Sequence, residues 1–455
     1  MGNSQPAKME RPLDPPTHWR GIAGYLGPGL IITASIVGSG ELIVTPKLGS
    51  EAGFSLLWFI VLGCMVKVFV QIELGRYAIS HGQTTLEAMD SMPGPRLVVS
   101  WLVWIWLLML LSLPFQVAGM MTAIASMVTL AGTPPNLEKL WVIVVALITM
   151  GLLISGRYRL VQNLSTAMVA VFTLFTALAL VAVQRTEFHI TTAQIASGFT
   201  FQLPSSFTTA FAAFGIIGVG ASELIYYPYW CLEKGYARHT GVNDGSASWL
   251  DRARGWVRVM VTDAWLSLVV YTLATVAFYL LGAAVLFGQG KEISNENVIP
   301  FLSELYTKSY GQIGLAVFLV GGVCVLFSTI FASTASNAHI LTDTVRAFGV
   351  YRPANDDQRI RAVKIASVVW PAIAMIISLC VGDVVSLVLI GAICQGLMLP
   401  FLAVAALYFR YFRHREVAEQ PGKAWQFRIG SACLWVSAIC MTLVGFYQVW
   451  AKLTD

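Results

Sequence analysis

The sequence predicts an all-α integral membrane protein of about eleven transmembrane helices, built as two five-helix repeats of opposite orientation followed by one extra helix. Three observations carry this. Of 455 residues, 56% are hydrophobic and only 12% charged, with a mean hydropathy of +0.70, which is too apolar for a soluble globule of this length. Eleven apolar runs are each long enough to supply the roughly 20 helical residues that cross a hydrocarbon core. Finally, Ile36 to Pro46, IVGSGELIVTP, returns over Gly218 to Pro228 as GVGASELIYYP, with six of eleven positions identical.

The runs centre on residues 24–48, 54–79, 98–130, 140–156, 160–184, 207–231, 257–288, 312–338, 363–381, 384–408 and 427–450. A basic turn, Gly156-Arg157-Tyr158-Arg159, divides the fourth from the fifth. Residues 1–19 are polar and Pro-rich, with no short apolar core after a basic start, so no removable signal peptide is expected. With this tail in the cytoplasm, 22 of the 29 basic residues fall on inside segments and five outside, while Lys47 and Lys67 lie within spans. So strong a bias supports both the span count and the orientation, with the N-terminus cytoplasmic, the C-terminus external and the cell membrane as location. The longest loop, 232–257, is expected to be cytoplasmic.

The duplicated stretches fall in the first and sixth spans. Five helices separate them, an odd number, so the second copy enters the membrane from the opposite side. Inverted repeats of this kind mark secondary transporters, whose substrate binds near the midplane where the first helix of each repeat is broken. The expected organisation is therefore a tail over 1–19, a core over 20–408 with repeats at 20–185 and 205–408, and a loop plus eleventh helix over 409–455.

Each stretch couples weak helix formers to one carboxylate. Gly38, Ser39 and Gly40 precede Glu41, and Gly220, Ala221 and Ser222 precede Glu223. Glycine costs a helix about 1 kcal/mol relative to alanine, so the chain is expected to unwind there and free carbonyls towards a cavity. Carbonyls with Glu41 and Glu223 would make an all-oxygen site suited to a hard divalent ion such as Mg²⁺ or Mn²⁺. The plainer alternatives are close helix packing for the glycines and helix capping for the glutamates. Elsewhere, Lys67, Gln71 and Glu73 stand on the second span, Lys67 and Gln71 one turn apart; they are read either as an internal network at its cytoplasmic half or, structurally, as Lys67 paired to a carboxylate and Glu73 to Arg76. Gln116, Gln395 and the run Ser328, Thr329, Ser333, Thr334, Ser336 and Asn337 either line a path or join helices. Asp263 and Asp343 are read as gate or loop contacts. His239 and His414 are given no role, and the seven scattered cysteines are read as small buried residues. No phosphate loop, nucleophile elbow or metal-protease motif is present, so no enzyme is expected.

Several of these residues form a pattern. Gly27-Pro28-Gly29 and Glu51-Ala52-Gly53-Phe54-Ser55-Leu56-Leu57-Trp58 flank a span that resembles the first span of the NRAMP family of divalent-metal transporters. Gly215-Ile216-Ile217-Gly218 resembles the approach to that family's sixth-span motif, and Leu399-Pro400-Phe401 its tenth span. The resemblance implies a fold like that of the bacterial leucine transporter, alternating access, and metal held between spans one and six. The family's Asp-Pro-Gly-Asn falls on Gly38-Ser39-Gly40-Glu41 and its Met-Pro-His on Ser222-Glu223-Leu224. Its tenth-span Gln falls on Ala392, with Gln395 one turn away. The third span has no acidic residue between Val98 and Leu130, where the family places part of its proton route.

The site is thus rebuilt rather than inherited. Without the methionine sulfur, preference for softer metals over Mg²⁺ or Ca²⁺ should fall. The expected substrate is Mg²⁺ or Mn²⁺, held by Glu41 and Glu223 with Gly38, Ser39, Gly40, Gly220, Ser222 and Gln395 around them. The metal is cargo rather than a cofactor, the surrounding partner is membrane lipid, and no nucleic acid is involved. Oligomeric state is left open. Two other readings stand beside this one: the same scaffold carrying an amine or amino acid, and a membrane sensor that binds without transporting.

Overall fold

The computed structural model describes residues 12–155, 158–203, 207–287, 298–419 and 422–454. Residues 1–11 of the expected tail, Gly156 and Arg157 of the basic turn, and Lys291 of an outer loop lie outside the described residues. Among the described residues the elements are helices apart from one two-residue ladder, Arg96–Leu97 with Val99–Ser100.

Ten helices are long and apolar enough to cross a membrane among the described residues. They are span 1 (Pro28–Ala52), span 2 (Leu57–His81), span 3 (Trp101–Leu130), span 4 (Pro135–Ile154), span 6 (Thr208–Glu233), span 7 (Ala247–Leu286), span 8 (Gln312–Ala347), span 9 (Asp357–Val381), span 10 (Val384–Arg413) and span 11 (Ala424–Trp450). The helix Tyr158–Val183 lies where span 5 is expected. Spans 1 and 6 are the most buried, at 89% and 94% of their apolar windows, whereas the window of span 4 is 22% buried. The repeated helices therefore form the centre and the others surround them. Span 3 packs along span 10, span 2 along span 7, and the first half of span 6 against span 10.

Both central helices are broken at the duplicated stretch. Span 1 is α-helical over Pro28–Ile36, leaves helical geometry at Val37 and Gly38, and resumes as a wide π-type turn over Ser39–Val44 before Thr45–Ala52. Span 6 is helical over Phe207–Ile216 and again over Ala221–Glu233. Between these halves Gly218 has φ +61°, a left-handed conformation that only glycine adopts without strain. Glu41 and Glu223 each occupy the first turn after the break, where unpaired backbone N–H groups make negative charge favourable.

The start of span 1 is tied down from span 7. Asp263 accepts from the backbone N–H groups of Gly27 at 2.9 Å and Gly29 at 2.5 Å, and from the Tyr227 hydroxyl at 3.2 Å. This residue, read from sequence as a gate or loop contact, is a helix cap supplied in trans. The loop expected over 232–257 is shorter than its composition suggests. A helical turn covers Tyr236–Thr240 and span 7 begins at Ala247, with Trp249 buried and its indole donating to the Gly241 carbonyl.

Glu73 of span 2 confirms its pairing with Arg76, at 3.3 Å, and also pairs with Arg410 and with the Nε2 of His414 at 3.0 Å. His414 therefore has a structural role that its position in a basic loop concealed. Burial pushes its imidazole down to about 4, against the opposing pull of Glu73 and with Arg76 and His81 acting in the same direction as burial. The unfolded chain takes up this proton near pH 6.5 and the folded chain only near 4, so the stabilising contribution is complete above the upper value and is lost as pH falls through that window. Between about pH 7.5 and 5 the loss is about 2 kcal/mol. Thermal unfolding in detergent should show it, and His414→Gln should lose less stability than the wild type over the same interval.

The cysteines divide. Cys64 and Cys231 are buried, Cys324, Cys394, Cys433 and Cys440 are partly covered, and Cys380 is exposed on span 9, contrary to the uniform burial expected. Its surface is one that lipid would cover, and there a small apolar thiol is not penalised.

Candidate functional site

Glu223 is the centre of the polar cluster at the two breaks. Its Oε1 accepts from the Ser35 hydroxyl of span 1 at 3.2 Å, and its Oε2 from the neighbouring Ser222 hydroxyl at 2.8 Å. Gln395 of span 10 faces the same serine: its Oε1 lies 2.7 Å from Ser222 Oγ and 3.1 Å from the Ser222 backbone nitrogen, which donates to it. The Gln395 amide then donates to Gln116 Oε1 of span 3 at 2.7 Å, and the Gln116 amide donates to Ser39 Oγ, also at 2.7 Å. One chain of hydrogen bonds thus joins spans 1, 3, 6 and 10 through both broken stretches.

This chain borders a small cavity of about 20 Å³, room for one water or ion. Ser35, Gln116, Ser222, Glu223, Tyr226, Thr329, Ser333 and Asn337 supply its polar wall, with Leu113, Val117 and Met120 opposite. Glu223 is the single charged side chain among these. Every polar side chain but the two amides offers oxygen alone, and the amides offer oxygen as well. The Tyr226 hydroxyl donates to Asn337 Oδ1 at 2.7 Å, and a much larger cavity of about 2110 Å³ is lined by residues near these two in sequence. Tyr229, Trp230, Ser336 and His339, one turn along the same helices, line it together with Gly27 and Lys234, so it opens on the face that carries the start of span 1. Asp343 and Arg359, 3.6 Å apart, also face it.

Glu41 occupies a different place. It is fully buried and does not line the small cavity. Its Oε1 accepts from the Gly218 backbone N–H at 3.2 Å and from the Thr275 hydroxyl of span 7 at 3.0 Å, and its Oε2 has no hydrogen-bond partner among the described residues. Glu41 therefore reaches across to the break in span 6 and caps a freed N–H there. Among the described residues the two glutamates share no hydrogen-bond partner. No group of three or more His, Cys, Asp and Glu side chains suited to metal is found among the described residues.

The remaining residues singled out from sequence divide in the same way. Ser222, Gln395 and Ser39 are in the Glu223 network. Gly220 makes room for it, since a Cβ there would lie 2.6 Å from both Gln395 Oε1 and Glu223 Oε2. Gly38 abuts the Thr329 side chain and Gly40 the Ile216 carbonyl, so both serve close helix approach. Ala392, the position aligned with a family glutamine, packs its carbonyl against Gly215, and the amide that joins the network, one turn later, is Gln395. Ser35 and Tyr226 escaped sequence reasoning. Ser35 lies one turn before Ser39 and Tyr226 three residues after Glu223, so helical spacing from the duplicated motif was the available signal. Lys67, expected beside a carboxylate, instead donates to the carbonyls of Phe214 and Ile217.

Comparison with known proteins fits this architecture. The profile of the natural resistance-associated macrophage protein-like family, Nramp, matches residues 29–451. A mutant of the Eremococcus coleocola manganese transporter superposes with a TM-score of 0.67 at 18% identity, covering 98% of this chain and 91% of that one. MhsT in complex with L-phenylalanine superposes with a TM-score of 0.59 at 13% identity, covering 96% and 99%; at these identities the likeness is one of fold. The metal transporter Nramp7.1 of Populus trichocarpa is 28% identical over 87 residues, 18% of this chain and 15% of that protein's length.

Proposed function

We propose, since this chain belongs to the Nramp family, that it moves a hard divalent cation, Mg²⁺ or Mn²⁺, across the cell membrane by alternating access, with the cation held at Glu223 between the broken spans 1 and 6. Members of the family are secondary transporters rather than enzymes, and their metal is cargo rather than cofactor. The observation that carries the reading is the cavity of about 20 Å³ whose single charge is Glu223 and whose other polar side chains present oxygen, with the Met120 thioether the one sulfur on its wall. Oxygen donors favour Mg²⁺, Mn²⁺ or Ca²⁺ over soft metals. One carboxylate among neutral oxygens binds a divalent ion without trapping it, as transport requires.

In this reading Glu223 supplies the charge, while Ser35, Ser222 and Gln116 supply oxygens and Gln395 holds Ser222 in place. Glu41 stands behind the site and holds the break in span 6 through Gly218 and Thr275. The tilt of basic residues towards the face of the large cavity makes that face cytoplasmic, so the Tyr226–Asn337 hydrogen bond separates the site from an inward vestibule. The small cavity also discriminates against the amine reading, because it has no room for a carbon skeleton. Purified protein in liposomes, tested with Mn²⁺, Mg²⁺ and Ca²⁺ with and without a pH gradient, should show saturable divalent flux. Flux or thermal stabilisation by small amines and amino acids, with none by metals, would overturn the assignment, and binding without flux would make the protein a sensor.

A further inference from the structure

Lys67 sits at the middle of span 2, fully buried, in a position that neither lipid nor water explains. Its ammonium donates to the Phe214 carbonyl and, at 2.7 Å, to the Ile217 carbonyl, and stands 4.8 Å over the Phe214 ring. No carboxylate lies within ion-pair distance of it among the described residues. Phe214 and Ile217 are at the end of the first half of span 6, where the break strips carbonyls of their helical partners. The Phe214 carbonyl would ordinarily receive the Gly218 N–H, but that N–H donates to Glu41 instead. The break is therefore satisfied by two ionisable side chains from other helices: Glu41 takes the freed donor and Lys67 the freed acceptors.

The carbonyl end of a half-helix carries partial negative charge, and in transporters with broken helices such ends and unwound carbonyls coordinate soluble monovalent cations. Here the same kind of oxygen site is filled by an amine anchored to span 2. We propose that Lys67 is a tethered cation: its ammonium occupies the carbonyl site made by the break in span 6 and stands in for a soluble monovalent ion. The titratable groups whose electrostatic influence reaches it are Cys64, Glu41 and Glu223, and neither carboxylate is within ion-pair distance among the described residues. Two consequences follow. Na⁺ and K⁺ have no vacant site at this break, so substrate binding in the wild type is independent of them. Shortening the side chain opens a site of ammonium size lined by two carbonyls, into which a small cation can be added back.

The test uses full-length protein purified in detergent, with ionic strength held constant by choline chloride, and its first readout is independent of divalent binding. Lys67→Ala is expected to lose thermal stability. Replacing choline with methylammonium or K⁺ at about 100 times the dissociation constant should then raise its Tm by at least about 3 °C, while leaving the wild-type Tm unchanged. Restoration by methylammonium but not by choline, which is too bulky for the vacated space, supports the proposal. A monodisperse Lys67→Ala protein that no small cation stabilises overturns it. Should Lys67→Ala not yield monodisperse protein, the wild type decides: a Tm or a Mn²⁺ affinity that rises several-fold with Na⁺ or K⁺ overturns the proposal, and indifference to both supports it. Failure of the metal assignment would appear separately, as absent Mn²⁺ binding in a wild type whose Tm still ignores monovalent cations.

Discussion

Glu223→Gln should lower Mn²⁺ affinity by at least about 100-fold, measured by calorimetry on the purified protein. The substitution removes the one charge on the wall of the small cavity but keeps an oxygen that can accept from Ser35 or Ser222, so the hydrogen-bond network survives while the electrostatic attraction for a divalent ion does not. Glu41→Gln provides the contrast. Glu41 does not line that cavity and its Oε1 caps Gly218 and Thr275, a role a glutamine oxygen can fill. Its loss of affinity should be smaller, within about tenfold, because the substitution leaves the wall of the small cavity unchanged. Unchanged affinity in Glu223→Gln would remove Glu223 from the site, and equal losses in the two variants would make both glutamates ligands.

Gly220→Ala should reduce Mn²⁺ flux into liposomes by at least about 50-fold, equivalent to some 2.3 kcal/mol, while the protein remains folded. The backbone at Gly220, φ −73° and ψ 175°, is one that alanine adopts freely, so there is no conformational penalty. The new methyl would instead lie 2.6 Å from Gln395 Oε1 and Glu223 Oε2 and force both oxygens out of place. Gly218→Ala is the complementary substitution. Its φ of +61° is unfavourable for alanine, and its cost should appear as lower thermal stability of the whole protein. A Gly220→Ala protein with wild-type flux would show that the oxygens beside Gly220 do not hold the cation.

The architecture was legible in the sequence because membrane insertion is decided locally. Twenty apolar residues in a row, a glycine pair, or an arginine on one side of a span each carry their meaning without reference to distant residues. For that reason the helical spans and the two breaks could be read in advance, and the Nramp match extends over residues 29–451.

The direction of each side chain at the breaks could not be read that way. Glu41 and Glu223 occupy equivalent places in near-identical stretches, yet Glu223 faces the cavity and Glu41 turns to cap Gly218. The difference comes from the local backbone, a wide π-type turn after Gly38 and a left-handed residue at Gly218, and from partners far along the chain. Gln395 meets Ser222 across 173 positions, and Lys67 meets Phe214 across 147. Sequence alone determined that span 1 and span 6 would be broken beside a carboxylate, since helix propensity and hydrophobicity are properties of short segments. Only the tertiary structure decided which carboxylate faces the cavity and which buried cation fills the carbonyls left by the break, because a hydrogen bond depends on where two distant backbones place their atoms.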